Sequence, residues 1–131
     1  MISVVIPSLG GDLCDTLDSI NAGSICPDEI IVCLPNDTHS VKDELKYKSL
    51  EVVYAEQYGQ VYQRIVGFKH AKGDYVLQLD DDIFIDSGCL EQLIASLQEL
   101  PTSSTVSPCL FNTNDRPLYE RKKDGLLSIY Y

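Results

Sequence analysis

The sequence contains no apolar run near the ~20 residues that a membrane-spanning helix requires. Its N-terminal apolar stretch ends at Pro7, too short for a span or for the hydrophobic part of a signal peptide. Basic side chains are scarce as well: 10 Lys and Arg stand against 20 Asp and Glu, a formal charge of −10. That balance argues against nucleic acid or an anionic membrane surface as the main partner, and an anionic ligand would need a local cation. The five cysteines, at 14, 26, 33, 89 and 109, form no CxxC pair and have no histidine in metal-ligand spacing. Such an odd set reads as reduced, mostly buried thiols in a cytoplasmic protein. Internal repeats and low-complexity segments are also missing. What remains is a 131-residue chain, 44% hydrophobic and 23% charged, long enough for one domain with a core and too short to suggest two.

Short β-rich pieces alternate with helical ones along the chain. "ISVVIP" at residues 2–7 is β-branched and closed by proline; "EIIVCL" at 29–34, "EVVYA" at 51–55 and "YVLQL" at 75–79 repeat the pattern. Nearly continuous apolar strands imply a sheet covered on both faces. Between them, Leu13, Leu17 and Ile20 recur at helical spacing with Asp12 placed as a cap. Val61, Ile65 and Phe68 predict a second helix with that stripe inward, stopped near Gly73, and Leu90, Leu93, Ile94, Leu97 and Leu100 predict a third, ended by Pro101. Residues 40–46 predict a weaker helix with Val41 and Leu45 inward, and residues 105–110 one further strand. This order implies right-handed crossovers and a doubly wound, mainly parallel α/β sheet with helices on both faces. Ligands bind such sheets at the carboxyl ends of the strands. The loops at 7–11, 34–39, 56–60 and 80–86 therefore share one edge.

On that edge stand three consecutive aspartates, Asp80, Asp81 and Asp82. Adjacent carboxylates repel by roughly 1 to 4 kcal/mol per close pair at dielectrics between those of water and a protein surface. A hard divalent cation with oxygen ligands would offset this, and its open positions would accept phosphate oxygens. That explains how an acidic protein could bind an anionic diphosphate. The alternative is a plain acidic turn, with Asp86 or Ser87 capping the helix that follows.

The string "GQVYQRIVGFKHAKGDYVLQLDDDIFI", together with "ISVVIPSLG" at the start, resembles the nucleotide-binding half of a family 2 glycosyltransferase of the GT-A, Rossmann-like fold. The resemblance covers residues 1 to 100 and rests on Gly59, Arg64, Gly67, Ala71, Gly73 and Asp74, followed by the aspartates as a DXD motif. It implies a metal-dependent, inverting hexosyltransferase with a nucleotide-diphospho sugar as donor, UDP-linked, and Mn²⁺ or Mg²⁺ as cofactor. Pro7, Ser8 and Leu9 then match the turn along the nucleotide, and Arg64 an arginine that reaches it. Asp80 matches the aspartate facing ribose and metal, Asp81 its neighbour in the nucleotide site, and Asp82 the one that binds the metal across the diphosphate. Where the family carries an acidic pair after the second strand, this chain has Cys33, Leu34 and Pro35, so base recognition passes to Asn36 or Asp37. Gln63 and Ile65 flank the arginine in place of the family's alanine and asparagine.

Family enzymes place the acceptor site and catalytic base well beyond the DXD motif, whereas 49 residues follow Asp82 here. The expectation is a domain incomplete at its C-terminus: residues 1–100 form the nucleotide-sugar-binding half and 101–131 begin the acceptor-side half. The base would lie beyond Tyr131, because Asp115, Glu120 and Asp124 read better as surface charges. The chain alone would then bind donor without transferring sugar, and its uncovered sheet would favour self-association. The acceptor, whether glycan, lipid-linked sugar or protein, is not legible, and a cytoplasmic location at the inner face of the membrane fits this class. A noncatalytic nucleotide-sugar binding module is the main alternative. A receiver-type signalling domain would need acidic residues after the first strand, and a nucleotidyltransferase a basic glycine-rich loop there; "PSLGG" supplies neither.

Overall fold

The computed structural model describes residues 1–36, 39–111, 119–121 and 127–129. Four parallel strands, β1 (Ile2–Pro7), β2 (Glu29–Leu34), β3 (Leu50–Tyr54) and β4 (Tyr75–Gln78), form one sheet in the order β3-β2-β1-β4. Register places Val5 beside Ile31 on one side and Gln78 on the other. The helices are α1 (Cys14–Asn21), α2 (Gln60–His70) and α3 (Cys89–Gln98). A separate antiparallel pair joins β5 (Tyr119–Arg121) to β6 (Leu127–Ile129). The chain divides into two compact units, Met1–Gln92 and Leu93–Tyr131.

Strand alternation explains why β1 and β2 are apolar at every position but Ser3 and Glu29 near their amino ends. Val4, Ile6, Ile30 and Val32 project to one face, against Leu13 just before α1, Leu17 and Ile20 of α1, and Val41, Tyr47 and Leu79. Val5, Ile31 and Cys33 project to the other, where Val53 of β3, Val66 of α2 and Ala71 complete a second core. Both faces of the two inner strands are covered, so no position on them tolerates water.

The four sequence-read strands and three strong helices form, with β3 shifted one residue earlier, β4 ending at Gln78 and α3 ending at Gln98, before Leu100. Several local expectations do not survive. Residues 40–46 hold only a short 3-10 turn at Glu44–Lys46, and Leu45 is 99% exposed, its inward place taken by Tyr47. Residues 105–110 contain no strand. Gly73 does not end α2, which stops at His70; its N–H donates to Ser3 Oγ at 2.8 Å. Of the five free thiols only Cys33 is buried, and Cys26 and Cys109 are exposed.

The largest correction concerns α2. Val61, Ile65 and Phe68 are 68%, 44% and 45% exposed, while Gln63 and Gly67 face the sheet. A Cβ on Gly67 would collide with Val5 Cγ1 and lie 2.7 Å from Cys33 Sγ, so the helix approaches the sheet more closely than any side chain would allow. The sheet-facing side of α2 thus carries Gln63 and Gly67 beside Val66, while three large apolar side chains point outward.

At the amino ends of the strands a buried polar group closes the sheet. Glu29 Oε1 accepts from Ser3 Oγ at 2.6 Å and from the Lys72 N–H at 2.7 Å. The Ser3 hydroxyl and then the Lys72 amide outweigh desolvation and hold this carboxyl below its ordinary range. A lowered folded-state pKa adds stability that is present above the unfolded value and lost as pH falls through the folded one. Glu29→Ala is thus expected to cost about 2 kcal/mol near neutral pH by orphaning the buried Ser3 hydroxyl and the part-buried Lys72 amide. Urea unfolding of both proteins at about pH 7 and about pH 3 should show the gap narrowing at the acid end; a gap of constant size would contradict the assignment.

Candidate functional site

The loops leaving β1, β2, β3 and β4 meet at the carboxyl edge of the sheet, as the parallel order requires. After β1 the chain turns through Ser8, which is buried, and Leu9, which is 66% exposed. Gly10 has φ +83° and a Cβ there would meet Ser40 O at 2.5 Å, so glycine alone permits this turn to lie on the segment before Val41. Gly11 N–H donates to Ser40 O and Lys42 N–H to Gly11 O, both at 2.7 Å. Lys42 also pairs with Asp12 at 2.7 Å, and with the Cys14 contacts this holds the Asp12 carboxyl down to about 2.

The three aspartates have three different surroundings. Asp80 Oδ1 accepts from Arg64 Nη2 at 2.6 Å, in a half-exposed ion pair. Asp81 turns inward: its Oδ2 accepts from Ser8 Oγ at 2.5 Å, and its carbonyl accepts from Thr16 Oγ1 at 2.8 Å. Asp82 is exposed, and among the described residues no hydrogen bond or ion pair engages its carboxylate. The crowding is thus relieved by sending one carboxylate to a cation, one to a hydroxyl and one to solvent. Among the described residues no three His, Cys, Asp or Glu side chains converge as a ready-made metal cage.

Arg64 comes from α2, whose N-terminus is set by Gly59 at φ +130°, a conformation that L side chains rarely adopt. Its Nε is buried and, among the described residues, has no hydrogen-bond partner. An orphaned buried donor carries a desolvation cost of about 1 to 3 kcal/mol, which an acceptor from a ligand would remove.

Asn36, after β2, donates from Nδ2 to Tyr58 OH at 2.6 Å, and its Oδ1 lies 2.8 Å from His39 Nδ1. The His39 and Tyr58 rings meet edge to face at 6.3 Å between centroids. Pro7 lies at the end of β1, and Asp37 lies outside the described residues. Of the expected site residues, then, Ser8, Arg64, Asp80 and Asp81 are joined by direct contacts, and Asn36 sits in a separate polar cluster on the same edge. Sequence reading missed Tyr58, His39, Thr16 and Gln63. A glutamine at the helix position that also carries Gly67 one turn later was the available signal for the last.

A model of the family described as Glycosyl transferase family 2 matches residues 3–130. The chain belongs to this family. Its fold is of the GT-A type that the sequence resemblance implied. YwdF of Bacillus subtilis (strain 168), described as an uncharacterized glycosyltransferase, is 29% identical over 89 residues, 66% of this chain and 33% of YwdF. The crystal structure of S. aureus TarS matches at 26% identity and TM-score 0.61, over 75% of this chain and 19% of TarS. TarS 1-349 in complex with UDP-GlcNAc matches at 25% identity and TM-score 0.59, over 75% of this chain and 31% of that one. The 4-diphosphocytidyl-2C-methyl-D-erythritolsynthase of Anaerococcus prevotii, at 20% identity and TM-score 0.61, shares the fold alone. This family 2 chain thus spans about a third of the length of YwdF, and less of TarS. No helix among its described residues is long and apolar enough to cross a membrane.

Proposed function

We propose that residues 1–131 are the donor-binding part of a glycosyltransferase that takes its sugar from a nucleotide diphosphate, with UDP as the nucleotide. The observation that carries this reading is the arrangement at the strand ends, where Arg64 of α2 pairs with Asp80 after β4 and, among the described residues, its buried Nε has no acceptor. The match to TarS 1-349 structures in complex with UDP-GlcNAc and with UDP supports the choice of nucleotide. Pro7, Ser8, Leu9, Asn36, Asp37, Gly59, Arg64, Asp80 and Asp81 form the nucleotide-sugar contacts in this reading. Residues 1–100 carry them, and 101–131 belong to the acceptor side. In this reading a base deprotonates the acceptor hydroxyl and transfer inverts the anomeric carbon. The five free thiols favour a reducing, cytoplasmic setting.

Family members commonly use a divalent metal. Hard cations that bind diphosphates need only one or two protein carboxylates, so the exposed Asp82, with Asp80 beside it, fits Mn²⁺ or Mg²⁺ without a third ligand. A cation there would neutralise charge on the leaving diphosphate. Arg64 would add its positive charge to that of the cation at the same edge, and Ser8 would hold the Asp81 carboxylate in place through its hydroxyl.

Isothermal titration tests this reading. UDP is expected to bind in the presence of Mn²⁺ and to bind about tenfold more weakly once EDTA is added. Absence of UDP binding with Mn²⁺ present would overturn it.

A further inference from the structure

We infer that Gln63, buried beneath the site, is a positioning residue that sets the spacing of the donor-binding loops; this rests on the donor-site reading above. Gln63 is 3% exposed. Its Nε2 donates both of its protons, one to Ser8 O at 2.7 Å and one to Cys33 O at 2.5 Å. These carbonyls stand where neighbouring parallel strands part: the Ser8 N–H reaches Cys33 O at 3.0 Å, at the end of the β1–β2 pairing. Beyond that point the sheet offers the Ser8 carbonyl no donor, and a buried carbonyl without one is costly. The glutamine amide supplies it and ties the two strand ends together.

The tie extends outward through Ser8. Its hydroxyl accepts from the Gly10 N–H at 2.9 Å and donates to Asp81 at 2.5 Å. One buried amide therefore fixes the starts of the loops after β1 and β2 and, through Ser8, the aspartate loop after β4. The next residue, Arg64, holds Asp80 from the same turn of α2. A glutamine serving only to satisfy the core would matter for stability and leave ligand affinity alone. Because its bonds end on the backbone of the loops that line the edge, this one should matter for affinity in the folded protein.

The test uses Gln63→Met, which keeps the side chain unbranched and of similar length while removing both bonds, and titrates UDP with Mn²⁺ well below the unfolding midpoint. The variant is expected to bind UDP about tenfold more weakly than wild type, as misplaced binding groups do. Amide exchange at Gly10 and Asn36 should quicken, while that at Val4 and Ile30 stays slow. A second measurement needs only the wild-type chain: the side-chain amide proton signals of Gln63 should shift when UDP and diamagnetic Mg²⁺ are added, although Gln63 touches no ligand. If wild type binds UDP and the folded variant binds within twofold, the positioning role is overturned while the donor reading stands. Unmoved Gln63 signals during UDP binding would overturn it equally, including where the variant does not fold. A wild type that binds no UDP overturns the donor reading, and this role with it.

Discussion

Asp82→Asn is expected to reduce Mn²⁺-dependent UDP affinity by about tenfold to a hundredfold, the range typical of damage to a metal site, with the fold unchanged. The reason lies in how differently the three aspartates are engaged. Asp82 is exposed and bonded to nothing among the described residues, so its removal leaves no buried partner unsatisfied. Asp81 is the contrasting control: Asp81→Ala would strip the acceptor from the buried Ser8 hydroxyl and cost about 1 to 2 kcal/mol of stability. Thermal unfolding should therefore separate the two variants, with stability lost in Asp81→Ala and kept in Asp82→Asn. Equal UDP affinity in wild type and Asp82→Asn would remove Asp82 from the metal site. A large loss of stability in the same variant would mean that its carboxylate is engaged in the fold.

Gly67→Val should be among the most destabilising single changes in the first unit. A Cβ at this position already overlaps Val5 Cγ1 and sits 2.7 Å from Cys33 Sγ, and both neighbours belong to strands whose two faces are packed. Val5 is β-branched and stiff, and Cys33 is fully buried, its thiol pushed up to about 12 by that burial. Relief would require α2 to lift from the sheet, which would also stretch the Gln63 bonds to Ser8 and Cys33. Overpacking of this kind costs about 3 kcal/mol or more when two further methyl groups follow the first clash. That is a large share of the ~5 to 15 kcal/mol that holds a small domain together. Gly67→Ala should cost less, because alanine recovers about 1 kcal/mol of helix propensity. Denaturant unfolding that ranked valine at or above alanine would show that the helix can move outward freely.

Much of this molecule could be read before it was seen. The strands at 2–7, 29–34 and 75–78, and the shared edge of the loops behind them, follow from local properties: β-branched apolar runs, proline and glycine punctuation, and the rule that parallel strands send their carboxyl ends to one side. The aspartate triplet stood out because like charges behind a buried strand call for a divalent cation, and Arg64 through the family resemblance; the structure adds an ion pair between Arg64 and Asp80. Tertiary structure decided the rest. It chose the Gln63 and Gly67 face of α2 over the more apolar Val61, Ile65 and Phe68, because the strand-end carbonyls need a donor and the sheet leaves no room for a side chain at 67. It also gave three identical aspartates three different roles. Helical period and residue type carry no record of which carbonyl lies opposite a side chain, since that partner comes from a strand 30 or 55 residues away in sequence, as Cys33 and Ser8 do for Gln63.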